Sequence, residues 1–126
     1  MIYAIKKGSN KQISANVNSS EIECNCRNIT CTWTLFSHDL LECFENLRIS
    51  CGNKPITITS GHRCVDHNHR VGGVPTSRHI VSMAIDLVPP GSMPLKEFAY
   101  RAKEAGFDKV ITYPENNFIH CSLKGE

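Results

Sequence analysis

Asp86 stands inside the apolar stretch Met83–Val88, between Ile85 and Leu87. A carboxylate in such a strand costs several kcal/mol unless it is paired or binds a metal. His120 has the same character, between Ile119 and Cys121 in the run Phe118–Leu123. If these two strands pair, Asp86 and His120 can project from the same face. His79, which lies shortly before the first of these strands, can return to that face from the end of a long loop. Two imidazoles and a carboxylate then make a zinc set with one position open for water. The alternative is an Asp86 paired with a buried arginine and a His120 satisfied within the core.

The rest of the chain supplies one small domain around such a sheet. At 126 residues it buries roughly two thirds of its extended surface on folding. With 40% hydrophobic and 21% charged residues it is an ordinary globular chain, which excludes disorder, coiled coil and collagen. The net charge of +2 is interspersed, so neither nucleic acid nor a membrane surface is expected as a partner. No apolar run is long enough to span a bilayer. The first residues lack the apolar stretch of a signal peptide, so synthesis and retention in the cytoplasm are expected.

Residues 1–16 read as a polar arm or edge strand, and residues 17–126 as the domain proper. Ser20 with Glu23 is expected to form a capping box. Ser37 is expected to cap a helix whose buried face is Leu40, Leu41, Phe44 and Leu47, with Gly52 as its end. Ile56–Thr59 reads as a strand. His62–His79, with four histidines and three arginines, reads as one long functional loop. Ser92 is expected to cap a second helix facing inward through Leu95, Phe98, Ala99 and Ala102, with Gly106 as its stop. Lys109–Tyr113 and Phe118–Leu123 then form a hairpin around Pro114-Glu115-Asn116-Asn117. The expected class is α+β, a mostly antiparallel sheet with helices packed on one side.

Seven cysteines is an odd number, which with no signal peptide favours reduced thiols. Cys24 and Cys26 flank a single residue, whereas structural zinc sites normally use two. Cys31 follows. Small buried thiols are therefore expected, with a disulfide to Cys64 or a second metal at this cluster as the alternatives.

The segment Thr59–His79 closely resembles the zinc D-Ala-D-Ala carboxypeptidase-like family, which includes phage endolysin peptidases and shares its fold with the hedgehog signalling domain. The resemblance rests on Ser60-Gly61-His62-Arg63, His67-Asn68, Val71-Gly72-Gly73 and Ser77-Arg78-His79, followed by Ala84, Asp86 and Phe118-Ile119-His120. Cys24, the run Glu45-Asn46-Leu47-Arg48 and Gly106-Phe107 also fit. The resemblance implies one zinc ion per chain, held by His79, Asp86 and His120. It implies that Arg63 faces the scissile carbonyl or a terminal carboxylate, and that Ser77 helps hold the substrate. Zinc-activated water would hydrolyse an amide bond of a peptidoglycan stem peptide or cross-link. A monomer is expected, of phage or prophage origin like the endolysin relatives, acting on the cell wall after release.

Three positions depart from the family pattern. Ser82 replaces a glycine and Ser122 an aspartate. Asn117 stands where many members carry the proton-accepting acid, which leaves Glu115 as the nearest candidate in the same turn and Asp66 as another. These departures keep open a second reading, a zinc-containing binding module without catalysis. A third arises because Asp66-His67-Asn68-His69 also resembles part of an HNH nuclease motif. A Pro and an apolar strand come after that stretch, in place of the short helix such a motif needs. His62 is expected to line a pocket wall, His67 to fix the loop and His69 to be exposed.

Overall fold

The computed structural model describes residues 2–26, 30–73, 77–80 and 83–124. The expected α+β class holds. A four-stranded antiparallel sheet is built from β5 (Thr57–Ser60), β6 (Ala84–Val88), β7 (Lys109–Tyr113) and β8 (Phe118–Ser122), in the order β5-β6-β8-β7. Two smaller ladders precede it. β1 (Ile2–Lys6) pairs antiparallel with β4 (Trp33–Ser37), and β2 (Gln12–Ser14) pairs with β3 (Val17–Asn18). Among the described residues no helix is long and apolar enough to cross a membrane.

The sheet's alternation sorts its residues onto two faces. Ile85 and Leu87 of β6 stand opposite Cys121 and Ile119 of β8, and all four are fully buried. They meet α1 (His38–Ser50) and α3 (Leu95–Ala105), which pack on each other and close one core. Leu40, Leu41, Phe44 and Leu47 form the buried face of α1, and Ser37 caps it by accepting from the Leu40 N–H. Glu45 on the same helix accepts from Ser14 Oγ and from the backbone and side chain of Asn16, which ties the β2–β3 segment to α1.

Three local expectations are corrected. The capping box is formed by Asn18 and Glu21, because Glu23 instead accepts from the Gly8 N–H at 2.9 Å. α3 starts after Pro94 rather than at Ser92, because proline keeps the preceding Met93 out of the helical region. The stretch 62–79 is not all loop: α2 (Val65–Arg70) forms within it, capped by Cys64. Gly106 ends α3 as expected, at φ +119°, where other residues are strained. Ser82 lies outside the described residues.

Candidate metal centre and cleft

The face of the sheet opposite the helices carries the polar groups. Asp86 on β6 is directly opposite His120 on β8, so the two strands do pair and the two groups share a face. His79 reaches the same point from the turn before β6. Its Nε2 lies 3.2 Å from Asp86 Oδ1, and His120 Nδ1 lies 3.0 Å from that same oxygen. The ligand atoms of the three residues all lie within 4.8 Å of one another.

A hydrogen bond fixes the tautomer of His79. Its Nδ1 is 2.7 Å from the Gly61 carbonyl oxygen, which can only accept, so Nδ1 carries the proton. In the neutral ring Nε2 is bare and faces a carboxylate, and it can donate to Asp86 only when the ring carries a second proton. Burial alone would raise the Asp86 carboxyl, but hydrogen bonds with His120 and His79 outweigh it and hold its pKa down at about 2. The carboxylate is therefore ionised, and electron pairs converge on one spot. Only a cation or a proton between them satisfies all three. Ligand atoms around a tetrahedral zinc ion sit about 3.3 Å apart, which the observed spacing matches. The Gly61 carbonyl is the outer partner that zinc-bound histidines usually have. Gly61 is needed there because a Cβ would come within 2.6 Å of Ile22 Cβ and 2.7 Å of its Cα.

A cleft of about 710 Å³ opens beside His120. Its floor is the polar face of the hairpin: Lys109, Ile111 and Tyr113 from β7, and Phe118, His120 and Ser122 from β8. Tyr113 and Phe118 stack with ring centres 4.7 Å apart. Arg63, Ser77 and Arg78 line the other side. Arg63 Nη2 donates to Ser77 Oγ at 3.2 Å, and its backbone N–H donates to the His79 carbonyl at 3.0 Å. Burial lowers the Arg63 pKa and the nearby Asp86 works against that shift. Its buried Nε finds no partner among the described residues. Ser77 Oγ also accepts from the His79 N–H, so the one hydroxyl braces both the arginine and the histidine.

Arg63, Ser77, His79, Asp86 and His120 are thus brought together. Glu115 is not. It lies exposed in the turn between β7 and β8 and is not among the cleft-lining residues, and Asn117 in the same turn has φ +51°. Asp66 and His69 are exposed on α2, and neither they nor His67 join a metal-capable cluster among the described residues. His62 is buried, but it lines a different hollow, with Trp33 and Val65. Sequence reasoning missed Arg78, Lys109 and Tyr113. Lys109 and Tyr113 were legible in principle, since β7 alternates in step with His120.

The Peptidase M15 family model matches residues 15–122. A zinc D-Ala-D-Ala carboxypeptidase from Streptomyces albus G is 38% identical over 75 residues. That match covers 58% of this chain and 29% of the relative, so the chain spans less than a third of the relative's length in that alignment.

Proposed function

We propose, for a chain that belongs to the peptidase M15 family, that it is a zinc-dependent peptidase. Its substrate would be an amide bond in peptidoglycan peptides, cut in carboxypeptidase or endopeptidase fashion. One observation carries this reading: His79, Asp86 and His120 converge at the edge of an open cleft whose other charged residues are Arg63, Arg78 and Lys109. Zinc held there supplies Lewis acidity toward a water molecule and the scissile carbonyl.

The chain's own residues do the rest. Arg63 lines the cleft and offers its guanidinium fork to a carbonyl oxygen or a terminal carboxylate. Ser77 holds that fork in place through its 3.2 Å hydrogen bond. Arg78 and Lys109 add positive charge that favours a peptide ending in a carboxylate. The stacked Tyr113 and Phe118 give the cleft an apolar wall for a small side chain. Glu115 is assigned the proton-accepting role, as the acid of the turn that follows Tyr113. A monomer acting on the wall after release from the cytoplasm completes the proposal.

A second reading has its own support. No carboxylate lines the cleft among the described residues, and Asn117 cannot accept a proton, so a zinc-containing binding module fits the same geometry. Digestion of purified peptidoglycan with zinc-loaded protein, beside Asp86→Ala, separates the two. New fragments that vanish in the control are expected, and their masses name the bond. Intact peptidoglycan after treatment with zinc-loaded protein selects the binding module. Glu115→Gln is expected to slow turnover roughly 100-fold. Unchanged turnover in that variant removes Glu115 from the mechanism.

A further inference from the structure

A second cluster lies apart from the His/Asp site. Cys24 and Cys26 follow the turn after β3, Cys31 precedes β4, and Cys64 caps α2. Their four sulfurs all lie within 4.8 Å of one another. Cys64 Sγ is 3.7 Å from Cys24 Sγ and 3.7 Å from Cys26 Sγ. A disulfide would bring a pair to about 2.05 Å, and none of the seven cysteines is disulfide-bonded. Sulfurs around a tetrahedral zinc ion, each bonded at about 2.3 Å, stand about 3.8 Å apart. The two Cys64 separations match the tetrahedron, and the other sulfur pairs lie within 4.8 Å.

The surroundings fit sulfurs that carry negative charge. The Cys64 backbone N–H donates to Cys24 Sγ at 3.3 Å, and the His67 N–H donates to Cys64 Sγ at 3.4 Å. Lys7 Nζ donates to Cys26 Sγ at 3.6 Å and to the Cys26 carbonyl at 3.1 Å. Hydrogen bonds and a counter-charge from outside the ligand set are what a metal thiolate centre requires.

We propose that Cys24, Cys26, Cys31 and Cys64 bind a second zinc ion in a closed tetrathiolate site. Four protein ligands leave no position for water, so this site is structural. Tetrahedral sulfur ligation selects zinc or iron among common metals, and the absence of a redox requirement at this position favours zinc. The ion joins three parts of the chain: the segment after β3 that carries Cys24 and Cys26, Cys31 just before β4, and Cys64, the residue directly after Arg63. It therefore holds in place the backbone from which Arg63 enters the cleft.

Metal analysis of protein purified under reducing conditions tests this. Wild type is expected to carry about two zinc ions per chain, and Cys31→Ser and Asp86→Ala about one each. Cobalt-substituted wild type and Asp86→Ala should both show a thiolate-to-cobalt charge-transfer band, and Cys31→Ser should lose it. If Cys31→Ser does not fold, a mercurial thiol reagent on wild type gives the same answer. It should release about one zinc to a chromogenic chelator while the other stays bound. A wild type whose zinc all disappears with Asp86→Ala, a cobalt protein without the thiolate band, or iron in place of zinc overturns the proposal. Loss of the thiolate metal alone leaves the His/Asp reading intact, and an Asp86→Ala protein with undiminished zinc defeats that reading alone.

Discussion

The two clusters solve the same problem, gathering ligands from distant parts of the chain, in opposite ways. His79, Asp86 and His120 stand on or beside the central sheet, and the cleft reaches His120. Cys24, Cys26, Cys31 and Cys64 come from connecting segments and surround their centre with four donors. A site with three ligands on a rigid sheet keeps room for chemistry. A site with four ligands on loops does the holding that loops lack. The difference teaches that ligand number and scaffold go together: the sheet can spare a ligand because strand pairing already fixes the other positions.

Mutations can break this contrast. The largest expected effect is that of Asp86→Ala, which should reduce turnover at least ~1,000-fold, about 4 kcal/mol of transition-state stabilisation. Steady-state assays with a peptidoglycan peptide check it. The metal of the thiol cluster should remain, and its loss would mean that the clusters are coupled. Arg63→Ala comes next, with an expected loss of roughly 100-fold in kcat/KM, about 2.7 kcal/mol. Zinc content should not change, and a drop in zinc would recast Arg63 as a brace for His79.

Gly61→Ala probes the contact between the two regions. The added Cβ would meet backbone and Cβ atoms of Ile22, two residues before Cys24, while the Gly61 carbonyl holds His79. A loss of about 2 kcal/mol in chemical denaturation is expected from such overpacking. An unchanged midpoint would mean that the Ile22 segment yields.

Glu45→Gln should have the smallest effect and serves as a control remote from both clusters. Burial works to raise the Glu45 pKa, but hydrogen bonds from Ser14 and Asn16 outweigh it and lower it from 4.5. The unfolded chain then binds more protons than the folded one in that range. Glu45 therefore stabilises the fold above about pH 4.5, and this contribution is lost as pH falls through its lowered folded value. The variant should lose about 1 kcal/mol at neutral pH and show a flatter acid limb in denaturation curves. An unchanged acid limb would show that the Ser14 and Asn16 contacts contribute no net stability.

Legibility in the sequence followed the range of the interactions. The α1 face, the β7–β8 hairpin and the Gly106 stop are set by neighbouring residues, and all were readable. The convergence of His79, Asp86 and His120 was readable because two ionisable residues inside apolar strands admit few explanations. The pairing of β1 with β4 was not, since nothing local in Trp33–Ser37 names its partner. The thiol cluster was legible only as a minority alternative, because its cysteines do not come in pairs two residues apart, and Cys64, 38 residues beyond Cys26, stood only as a disulfide partner. Helix α2 was hidden by a composition that reads as loop, and the shift in the start of α3 by the rule that proline imposes on the residue before it.

The strict alternation along β8 has a consequence for assembly. Ile119 and Cys121 enter the core while His120 and Ser122 face the cleft. A slip of one residue against β6 would drive the imidazole into oil and expose a leucine-sized side chain to water. Such a chain could still collapse, yet it would present no matched set of electron pairs to a divalent ion. Correct strand registration is therefore a precondition for the three-ligand set, and a slipped chain would lack the site at which the proposed ion is held.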